Sequence, residues 1–518
     1  MVIHTSPFPD IAIPDRPLFD YLFEHAGEFG DLPAIVDGPS GRAFSYTELE
    51  AAVRSLAGGL VARGFQKGQV LALMAPNVPE YAVVFHGVAM AGGVVTTVNP
   101  TYTEREVRHQ LIDAGASMLV TIPMFLDTAR AAADGTAVDE IFVLGESDAV
   151  PSVTSLFGAP LESHVPVEPD DVAVLPYSSG TTGLSKGVML THHNLVANVA
   201  QALAITTVAQ GEVVVAVLPF FHIYGMQVLM NLGFRAGATV VTMPRFDLEE
   251  FLRIHQDYRV TRSFVAPPIV VALAKHPLVD QYDMASVQQV FSGAAPLSAE
   301  LAAEVNARLG CEVVQGYGMT ELSPVSHITP PDGFKPGSVG VTAPNTETRI
   351  VDPETGNDLA YDDDGEVWIR GPQVMKGYLN NPIATESTID ADGWLHTGDI
   401  GHIDHDGHLY IVDRLKELIK YKGFQVPPAE LEAILLTHPA VADAAVIGLP
   451  DEDAGEVPAG YVVLKAGQTA SSEEICEFVA GQVAHFKAIR QLTFLDEIPK
   501  SASGKILRRV LRDGAGVT

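Results

Sequence analysis

The chain has 518 residues, of which 47% are hydrophobic and 19% are charged, as in folded globular proteins and unlike disordered chains. This length is greater than that of a chain that folds around one ordinary hydrophobic core, so we expect two or more domains. The 32 basic and 64 acidic residues give a formal net charge of -32, which argues against a nucleic-acid-binding protein and against nonspecific binding to anionic membranes.

Helix-like and strand-like patterns alternate from the start of the chain. Ser45 and Glu48 form a capping box that predicts the start of a helix, and Gly64 is placed to end it. Thr103 and Glu106 form a second capping box. Continuous apolar runs predict strands at residues 70–76, 94–100 and 117–122, with another helix from about residue 79. This alternation predicts parallel sheets covered by helices.

The apolar run at residues 213–234 is long enough to cross a bilayer. It contains Pro219 and the polar residues His222, Gln227 and Asn231, whose polar groups would be energetically costly in lipid. We therefore predict a buried strand, a turn and a buried helix, with no membrane span.

The pattern changes after about residue 347. Asp-Gly turns in DDDGEVWIRG, DADGWLHTGD and DHDGHLYIVDR predict antiparallel hairpins, which would form a small β-barrel-like part. A small α/β unit follows, with helices at 429–436 and from about 472 and strands at 442–450 and 459–465. We predict a domain boundary at residues 413–416, between an N-terminal domain at 1–412 and a C-terminal domain at 417–518.

Four histidines lie among aspartates in HTGDIGHIDHDGHLY: His396, His402, His405 and His408. Such a run is tempting as a metal site. The Asp406-Gly407 turn makes a short hairpin, in which the four rings need not converge on one ion. We predict no metal at these histidines.

The two cysteines, Cys311 and Cys476, exclude a disulfide framework and a cysteine-rich zinc site. Scarce cysteine fits a reducing compartment.

The first residues, MVIHTSPFPD, lack the basic region of a signal peptide, and the last residues, GVT, are neither a peroxisomal address nor a prenylation motif. We expect a cytoplasmic location. The composition leaves the oligomeric state open.

A loop of hydroxyls and glycines lies in YSSGTTGLSKGVML. Glycines let backbone N–H groups wrap an anion, and Lys186 adds a point charge suited to phosphate. The spacing is not that of a Walker A loop, and apolar flanks on both sides predict that the loop joins two strands. A mobile surface loop is the alternative, but the lysine and the apolar flanks favour phosphate binding.

SSGTTGLSKG resembles the signature loop of the adenylate-forming superfamily, which includes acyl-CoA synthetases, 4-coumarate–CoA ligases, firefly luciferase and the adenylation domains of peptide synthetases. Further motifs similar to that family follow in order: QGYGMTE, HTGD, VDRLKELIKYKGFQVPPAELE and PKSASGK. The resemblance covers nearly the whole chain, and PFFHIYG and the KELIKYKGFQV run make the 4-coumarate–CoA ligase type its nearest subfamily.

The resemblance implies binding sites for ATP, Mg²⁺ and coenzyme A. The implied nucleotide contacts are Ser178, Ser179, Gly180, Thr181, Thr182, Lys186, Ala294, Gln315, Gly316, Tyr317, Thr320, Asp399, Arg414 and the hinge residue Lys416. The chemistry of these residues agrees: Tyr317 can stack on a purine, Asp399 can accept ribose hydroxyls, and Glu321 is a hard oxygen ligand for Mg²⁺. The implied CoA contacts are Arg245, Lys422 and Gly423.

The resemblance also implies a hinge at 413–416, a C-terminal lid domain at 417–518, and catalytic and acyl-binding residues. Lys505 would serve adenylate formation, Lys420 and Gln425 the thioester step, and His222 would be an aromatic gate. Without the resemblance, His222 would be interpreted as an ordinary core histidine, and Lys416, Lys420 and Lys422 as a solvated charged face. The implied acyl pocket comprises Tyr224, Val228, Gly293, Gly316, Gly318, Pro324 and Val325, and its glycines suggest room for a flat ring.

The implied activity is that of an ATP-dependent acid:CoA ligase, which forms an acyl-adenylate and then a thioester. A hydroxycinnamate-type acid is the expected substrate, and a medium-chain fatty acid is the alternative. Other classes stay open: a luciferase-like oxygenase, a stand-alone enzyme that loads a carrier protein, and a non-catalytic nucleotide-binding protein. Superfamily alone does not determine the substrate.

Overall fold

The computed structural model describes residues 2–178, 185–295, 297–331, 333–422, 424–451, 454–501 and 504–515. The strands of the described residues form four sheets. Ser179, Gly180, Thr181, Thr182 and Gly423, which the sequence assigned to ATP and CoA binding, lie outside the described residues.

Strands and helices alternate up to the predicted phosphate loop. These elements are β1 (His4–Thr5), α1 (Leu18–Leu22), α2 (Ala26–Phe29), β2 (Pro33–Asp37), β3 (Ala43–Ser45), α3 (Tyr46–Ala62), β4 (Val70–Met74), α4 (Pro79–Met90), β5 (Val94–Thr97), α5 (Glu104–Ala114), β6 (Ala116–Thr121), α6 (Leu126–Ala133), β7 (Glu140–Val143) and β8 (Val172–Ser178). Both predicted capping boxes are present: Ser45 Oγ accepts from the Glu48 N–H, and Thr103 Oγ1 accepts from that of Glu106.

The alternation continues after the loop. The next elements are β9 (Lys186–Thr191), α7 (His192–Ile205), β10 (Val213–Ala216), a π-helix (Tyr224–Asn231), α8 (Leu232–Ala236), β11 (Thr239–Thr242), α9 (Leu248–Tyr258), β12 (Arg262–Val265), α10 (Pro267–Lys275), β13 (Gln289–Ser292), α11 (Ala299–Leu309), β14 (Glu312–Gly318), β15 (Val325–Ile328) and β16 (Val341–Thr342). The predicted phosphate loop has a strand on each side, as expected from its apolar flanks, and these strands, β8 and β9, pair antiparallel.

The remaining elements fall in two groups. The first group is β17 (Glu347–Val351), β18 (Gly365–Arg370), β19 (Gly377–Tyr378), α12 (Pro382–Thr388), β20 (Leu395–Ile403) and β21 (Leu409–Arg414). The second group is β22 (Ile419–Tyr421), β23 (Phe424–Val426), α13 (Pro428–Thr437), β24 (Val441–Asp451), β25 (Gly455–Leu464), α14 (Ser472–Ala480), β26 (Gln491–Phe494) and α15 (Arg508–Gly514).

Two large sheets are mostly parallel, which confirms the predicted fold class. Their strand orders are β19-β9-β8-β5-β4-β6-β7 and β16-β15-β14-β13-β12-β10-β11-β2-β3. Antiparallel pairs occur at their edges, where β9 and β19 border the first sheet and β15 borders β14 in the second. The largest hydrophobic cluster draws residues from both sheets and their helices. This arrangement leaves the carboxyl ends of β13 and β14 free to build a site.

The apolar run at 213–234 folds as a strand, a turn and a helix, as predicted. Its first helical part is a π-helix, which the sequence analysis did not predict. A Cβ on Gly225 would lie 2.2 Å from the carbonyl oxygen of Pro219, so only glycine permits the π-helix to start this close to the preceding turn. Within the described part of the chain, every helix is too short or too polar to cross a membrane.

The predicted hairpins after residue 347 form a third, antiparallel sheet with the order β1-β17-β18-β20-β21. A bridge between Val341 and His408 ties it to the second sheet. The four histidines of this part contact four different groups. His396 stacks on Trp368, His402 pairs with Asp364, His405 approaches Asp362, and His408 lies 3.2 Å from Ser338 Oγ.

The fourth sheet belongs to the end of the chain. Its order is β23-β22-β25-β24, with β26 parallel to β25. It has its own hydrophobic cluster, built around Ile419, Leu431 and Val462. The chain leaves the third sheet at Arg414 and joins the fourth at Ile419, so the predicted hinge at 413–416 spans the end of β21 and the start of the short connection between two sheets.

Candidate active site

A cavity of about 60 Å³ opens at the carboxyl ends of β13 and β14. The π-helix and its preceding turn form one wall, and the segment that follows β14 forms another. Twelve residues predicted from the sequence line it: His222, Tyr224, Val228, Gly293, Ala294, Gly316, Tyr317, Gly318, Thr320, Pro324, Val325 and Lys505. Residues from four separate motifs therefore meet around one space.

The glycines of this cavity bring its walls together. A Cβ on Gly293 would lie 2.8 Å from the Tyr224 ring, and a Cβ on Gly316 would lie 2.5 Å from the Phe291 ring. A Cβ on Gly318 would meet the Pro324 carbonyl oxygen at 2.0 Å. Glycine at these three positions therefore permits close contacts that a larger residue would prevent, and the room they leave for a flat ring stays a prediction.

Asp399 and Arg414 are paired across two antiparallel strands. Arg414 Nε lies 3.2 Å from Asp399 Oδ1, and the Tyr317 hydroxyl donates to Asp399 Oδ2 at 2.5 Å. Asp399 is only 5% exposed, so its carboxylate is held by these partners at the edge of the cavity. Burial and the Asp399 charge raise the pKa of Tyr317, which keeps its hydroxyl protonated and donating. A rigid carboxylate of this kind suits vicinal hydroxyls.

Glu321 is a buried carboxylate that follows β14, with an exposed fraction of 5%. Ser178 Oγ donates to Glu321 Oε1 at 3.2 Å, and the Tyr378 hydroxyl donates to the same oxygen at 2.8 Å. Both bonds go to Oε1, so neither uses Oε2. A buried, oriented carboxylate oxygen that contacts Ser178, at the start of the predicted phosphate loop, fits Mg²⁺, which prefers few carboxylates and completes its shell with water and phosphate.

Lys505 reaches the cavity from the end of the chain. A bridge between Lys500 and Ile506 and a bond from the Ser501 N–H to the Lys505 carbonyl oxygen, 2.8 Å long, hold its segment. Gly504, at φ +83°, lies so close to the second sheet that a Cβ would be 3.2 Å from Ala266 Cβ. Burial and then the Arg414 charge lower the pKa of Lys505, while Asp399 and Glu321 oppose that shift. The lysine therefore lies within the field of the cavity's charged groups.

His222 lines the cavity as a neutral ring. Burial, with a smaller effect of Lys505, lowers the pKa of His222 to about 3. The Tyr224 N–H donates to His222 Nδ1 at 3.3 Å, which assigns the ring proton to Nε2. The chemistry of this histidine at neutral pH is therefore that of an uncharged aromatic wall and hydrogen-bond donor.

Two family models match this chain. Residues 22–379 match the model described as AMP-binding enzyme, and residues 430–505 match the model described as AMP-binding enzyme C-terminal domain. The chain belongs to the AMP-binding enzyme family. It is 46% identical to 4-coumarate–CoA ligase 1 of Petroselinum crispum, over 99% of this chain and 96% of that protein.

Solved structures of the family include both ATP-bound and apo forms of one protein. ATP-bound MatB from Rhodopseudomonas palustris has a TM-score of 0.88 to this AMP-binding enzyme at 33% identity, covering 97% of this chain and 99% of that one. The apo form has the same identity and coverage but a TM-score of 0.78. Because the sequence compared is the same, the difference is conformational. The arrangement described here is more similar to the ATP-bound form.

Several predicted residues of this AMP-binding enzyme lie away from the cavity lining. Lys416, Lys420, Lys422, Gln425 and Arg245 are exposed. Lys420 and Gln425 face each other across β22 and β23, and the Lys422 ammonium lies 5.8 Å from the centre of the Tyr421 ring. The structure therefore does not bring the residues predicted for the thioester step together with Lys505.

Gln315 is buried but does not line the cavity. Its Oε1 accepts from the Leu297 N–H at 3.0 Å, so its side chain supports the segment after Ala294. Ala294 itself lies at φ +73°, an unusual value for a residue with a Cβ, at the edge of the cavity. The Gln315 side chain therefore lies outside the cavity lining, and its nucleotide contact stays a prediction.

The sequence analysis missed Tyr378 and much of the apolar lining. The unpredicted lining residues are Ala202, Thr206, Ile223, Leu232, Phe264, Phe291, Met319 and Ile328. These side chains lie on regular helices and strands or next to them, where their pattern is that of ordinary core residues. No local signal in the sequence distinguishes them from the rest of the core.

Proposed function

We propose that this AMP-binding enzyme is an ATP-dependent acid:CoA ligase that acts on a hydroxycinnamate-type acid. The carboxylate attacks the α-phosphorus of ATP and expels pyrophosphate, giving an acyl-adenylate. The thiol of coenzyme A then attacks the acyl carbon and expels AMP. The observation that carries the proposal is the position of Lys505: a lysine from the end of the chain lies in a cavity built by three other motifs.

In the first half-reaction, the protein orients the reactants and stabilises developing charge. Lys505 would donate to oxygens of the α-phosphate and of the attacking carboxylate. Asp399 would accept from ribose hydroxyls, and its pairing with Arg414 and Tyr317 supports this role. Lys186 would hold the outer phosphates.

Glu321 would hold Mg²⁺, together with oxygens of the phosphates. When bound, the metal ion would neutralise charge on the phosphoryl oxygens. The buried carboxylate with two donors on a single oxygen supports this assignment.

The second half-reaction would use a different face of the small domain. We propose domains at 1–412 and 417–518, joined by a hinge at 413–416. Lys420, Lys422 and Gln425 lie on the exposed face of the small domain, and rotation about the hinge would exchange that face for Lys505. Arg245, Lys422 and Gly423 would then contact coenzyme A. The change of sheet between Arg414 and Ile419 supports this hinge position.

The acid would occupy the apolar part of the cavity. Val228, Phe264 and Phe291 offer a hydrophobic wall suited to an aromatic ring. Among the described residues, the Tyr224 hydroxyl has a single long contact, 3.4 Å to the Phe291 carbonyl oxygen, so it is available to a ring hydroxyl of the substrate. The 46% identity to 4-coumarate–CoA ligase 1 supports the same class of acid.

A panel of acids tests the substrate class. Purified protein is incubated with ATP, Mg²⁺ and coenzyme A and with 4-hydroxycinnamic, cinnamic, benzoic and C4–C12 fatty acids, and thioester and AMP are quantified. We expect the highest kcat/KM with 4-hydroxycinnamate. A preference for C6–C10 fatty acids would contradict the aromatic assignment, and adenylate formation without thioester would contradict the ligase.

Replacing Tyr224 by phenylalanine tests how the ring hydroxyl is recognised. We expect kcat/KM for 4-hydroxycinnamate to fall about tenfold, because a buried hydroxyl would lose its partner. Cinnamate, which has no such hydroxyl, is the internal control and should change by less than about twofold. Equal losses for both acids would show that Tyr224 only shapes the cavity.

A further inference from the structure

Tyr378 joins the two polar groups that serve the phosphates and the metal in the proposed function. Its hydroxyl donates to Glu321 Oε1 at 2.8 Å, and its ring centre lies 4.0 Å from the ammonium of Lys186. The first distance is that of a hydrogen bond to a carboxylate, and the second is within the range of a cation–π contact. A single side chain therefore touches the predicted metal ligand and the predicted phosphate lysine.

The backbone around Tyr378 is tied to both partners as well. The Leu379 N–H donates to the Gly187 carbonyl oxygen at 2.9 Å, next to Lys186. The Met375 N–H donates to the Glu321 carbonyl oxygen, also at 2.9 Å. The Tyr378 N–H donates to Thr385 Oγ1 at 2.9 Å, which anchors the strand to α12. These three hydrogen bonds fix the backbone that carries the Tyr378 side chain.

The environment of the phenol suits this task. Tyr378 is 6% exposed, and its hydroxyl donates to Glu321 Oε1 away from solvent. Hydrogen-bonded neighbours of a metal-binding carboxylate orient it, and their loss commonly weakens metal binding by one to two orders of magnitude.

We propose that Tyr378 is a positioning residue that sets Glu321 and Lys186 relative to each other, so that Mg²⁺ and the outer phosphates of ATP are bound as one unit. The hydroxyl orients Glu321, and the ring face orients Lys186. This inference rests on the proposed function, since it takes ATP and Mg²⁺ as ligands.

The two halves of the side chain are separable by mutation. Tyr378→Phe removes the bond to Glu321 and keeps the ring, whereas Tyr378→Leu removes both contacts. Isothermal titration calorimetry with ATP in EDTA measures the ATP affinity to which Lys186 contributes without metal. The same titration with ATP and Mg²⁺ measures an affinity to which the metal site at Glu321 also contributes. No acid is added, so no turnover occurs and the readout is independent of catalysis.

We expect Tyr378→Phe to bind ATP in EDTA as the wild type does and to lose about tenfold in affinity for ATP with Mg²⁺. Tyr378→Leu should also lose about fivefold in EDTA, because Lys186 is no longer oriented. In a Glu321→Gln background, Tyr378→Phe should cause no further loss with Mg²⁺, since the bond it removes serves only the missing carboxylate.

Tyr46→Phe is the matched control. The Tyr46 hydroxyl is also buried and donates to the Ala238 carbonyl oxygen at 2.7 Å, but it touches neither Lys186 nor Glu321. The Tyr46→Phe variant should bind ATP with wild-type affinity both in EDTA and with Mg²⁺. Thermal unfolding measurements check that all variants fold. If Tyr378→Leu does not fold, Tyr378→Phe decides alone.

Two results would overturn the inference while leaving the proposed function intact: wild-type affinity of Tyr378→Phe for ATP with Mg²⁺, or tighter binding of ATP in EDTA by Tyr378→Leu. The second would mean that the ring withholds Lys186 from phosphate. If the wild-type protein itself fails to bind ATP with Mg²⁺, the proposed function is wrong, and this inference falls with it.

Discussion

Replacing Lys505 by alanine should slow the adenylate-forming half-reaction about 10²–10³-fold and leave the thioester-forming half-reaction within about threefold of the wild type. The lysine lies in the cavity near Arg414, Asp399 and Glu321, whose charges all act on its pKa. Removing it takes away the positive charge that would meet the α-phosphate oxygens as pyrophosphate leaves. The second half-reaction would use the opposite face of the small domain, so Lys505 would have left the cavity by then.

The two half-reactions are measured separately. Pyrophosphate release reports adenylate formation, and CoA thioester formed from synthetic acyl-adenylate reports the second step. Lys500→Ala is the matched control, since Lys500 lies in the same hairpin but pairs with Asp443 at 2.6 Å, outside the cavity. Both of its half-reactions should be unchanged. Equal losses in both steps of Lys505→Ala would refute the hinge between the domains.

Replacing Asp399 by asparagine should impair both half-reactions, because the ribose is present in ATP and in the acyl-adenylate alike. We expect kcat/KM for ATP to fall about a hundredfold, since roughly 3 kcal/mol is lost when a charged acceptor becomes neutral and one acceptor oxygen becomes a donor. The thioester-forming step from acyl-adenylate should fall by a similar factor in kcat/KM.

Asp406→Asn is the control for this second prediction. Asp406 lies on the neighbouring Asp-Gly turn, where its side chain is 74% exposed and pairs with Lys335. The Asp406→Asn variant should catalyse both half-reactions at wild-type rates, because an exposed ion pair such as this one contributes little to stability. A variant at Asp399 that loses only the first half-reaction would contradict its assignment to the ribose and would place it with Lys505 instead.

Local patterns predicted much of this molecule correctly. The capping boxes at Ser45 and Thr103 begin helices because the side chain and the N–H it accepts from are three residues apart, so the contact needs no tertiary structure. The hairpin of β20 and β21 follows from the Asp406-Gly407 turn in the same way. The parallel sheets follow from apolar strands that alternate with amphipathic helices.

The composition of the cavity depended on packing instead. Gly293, Gly316 and Gly318 line it, as the sequence analysis predicted, but the rings that Gly293 and Gly316 face could not be predicted, because they come from other segments of the chain. The π-helix was predicted only as a helix, because hydrophobic periodicity over eight residues does not distinguish the two forms.

By itself, the sequence determined the fold class, the family and most of the polar residues of the candidate site, since each lies in a short motif whose chemistry is local. Only the tertiary structure showed that Tyr378 touches both Lys186 and Glu321, which are 192 and 57 residues away in the sequence. Only the tertiary structure placed Lys505 in the cavity while leaving Lys420 and Gln425 outside. The reason is physical: a motif records which groups are available, whereas contacts between distant segments arise from how sheets and domains pack.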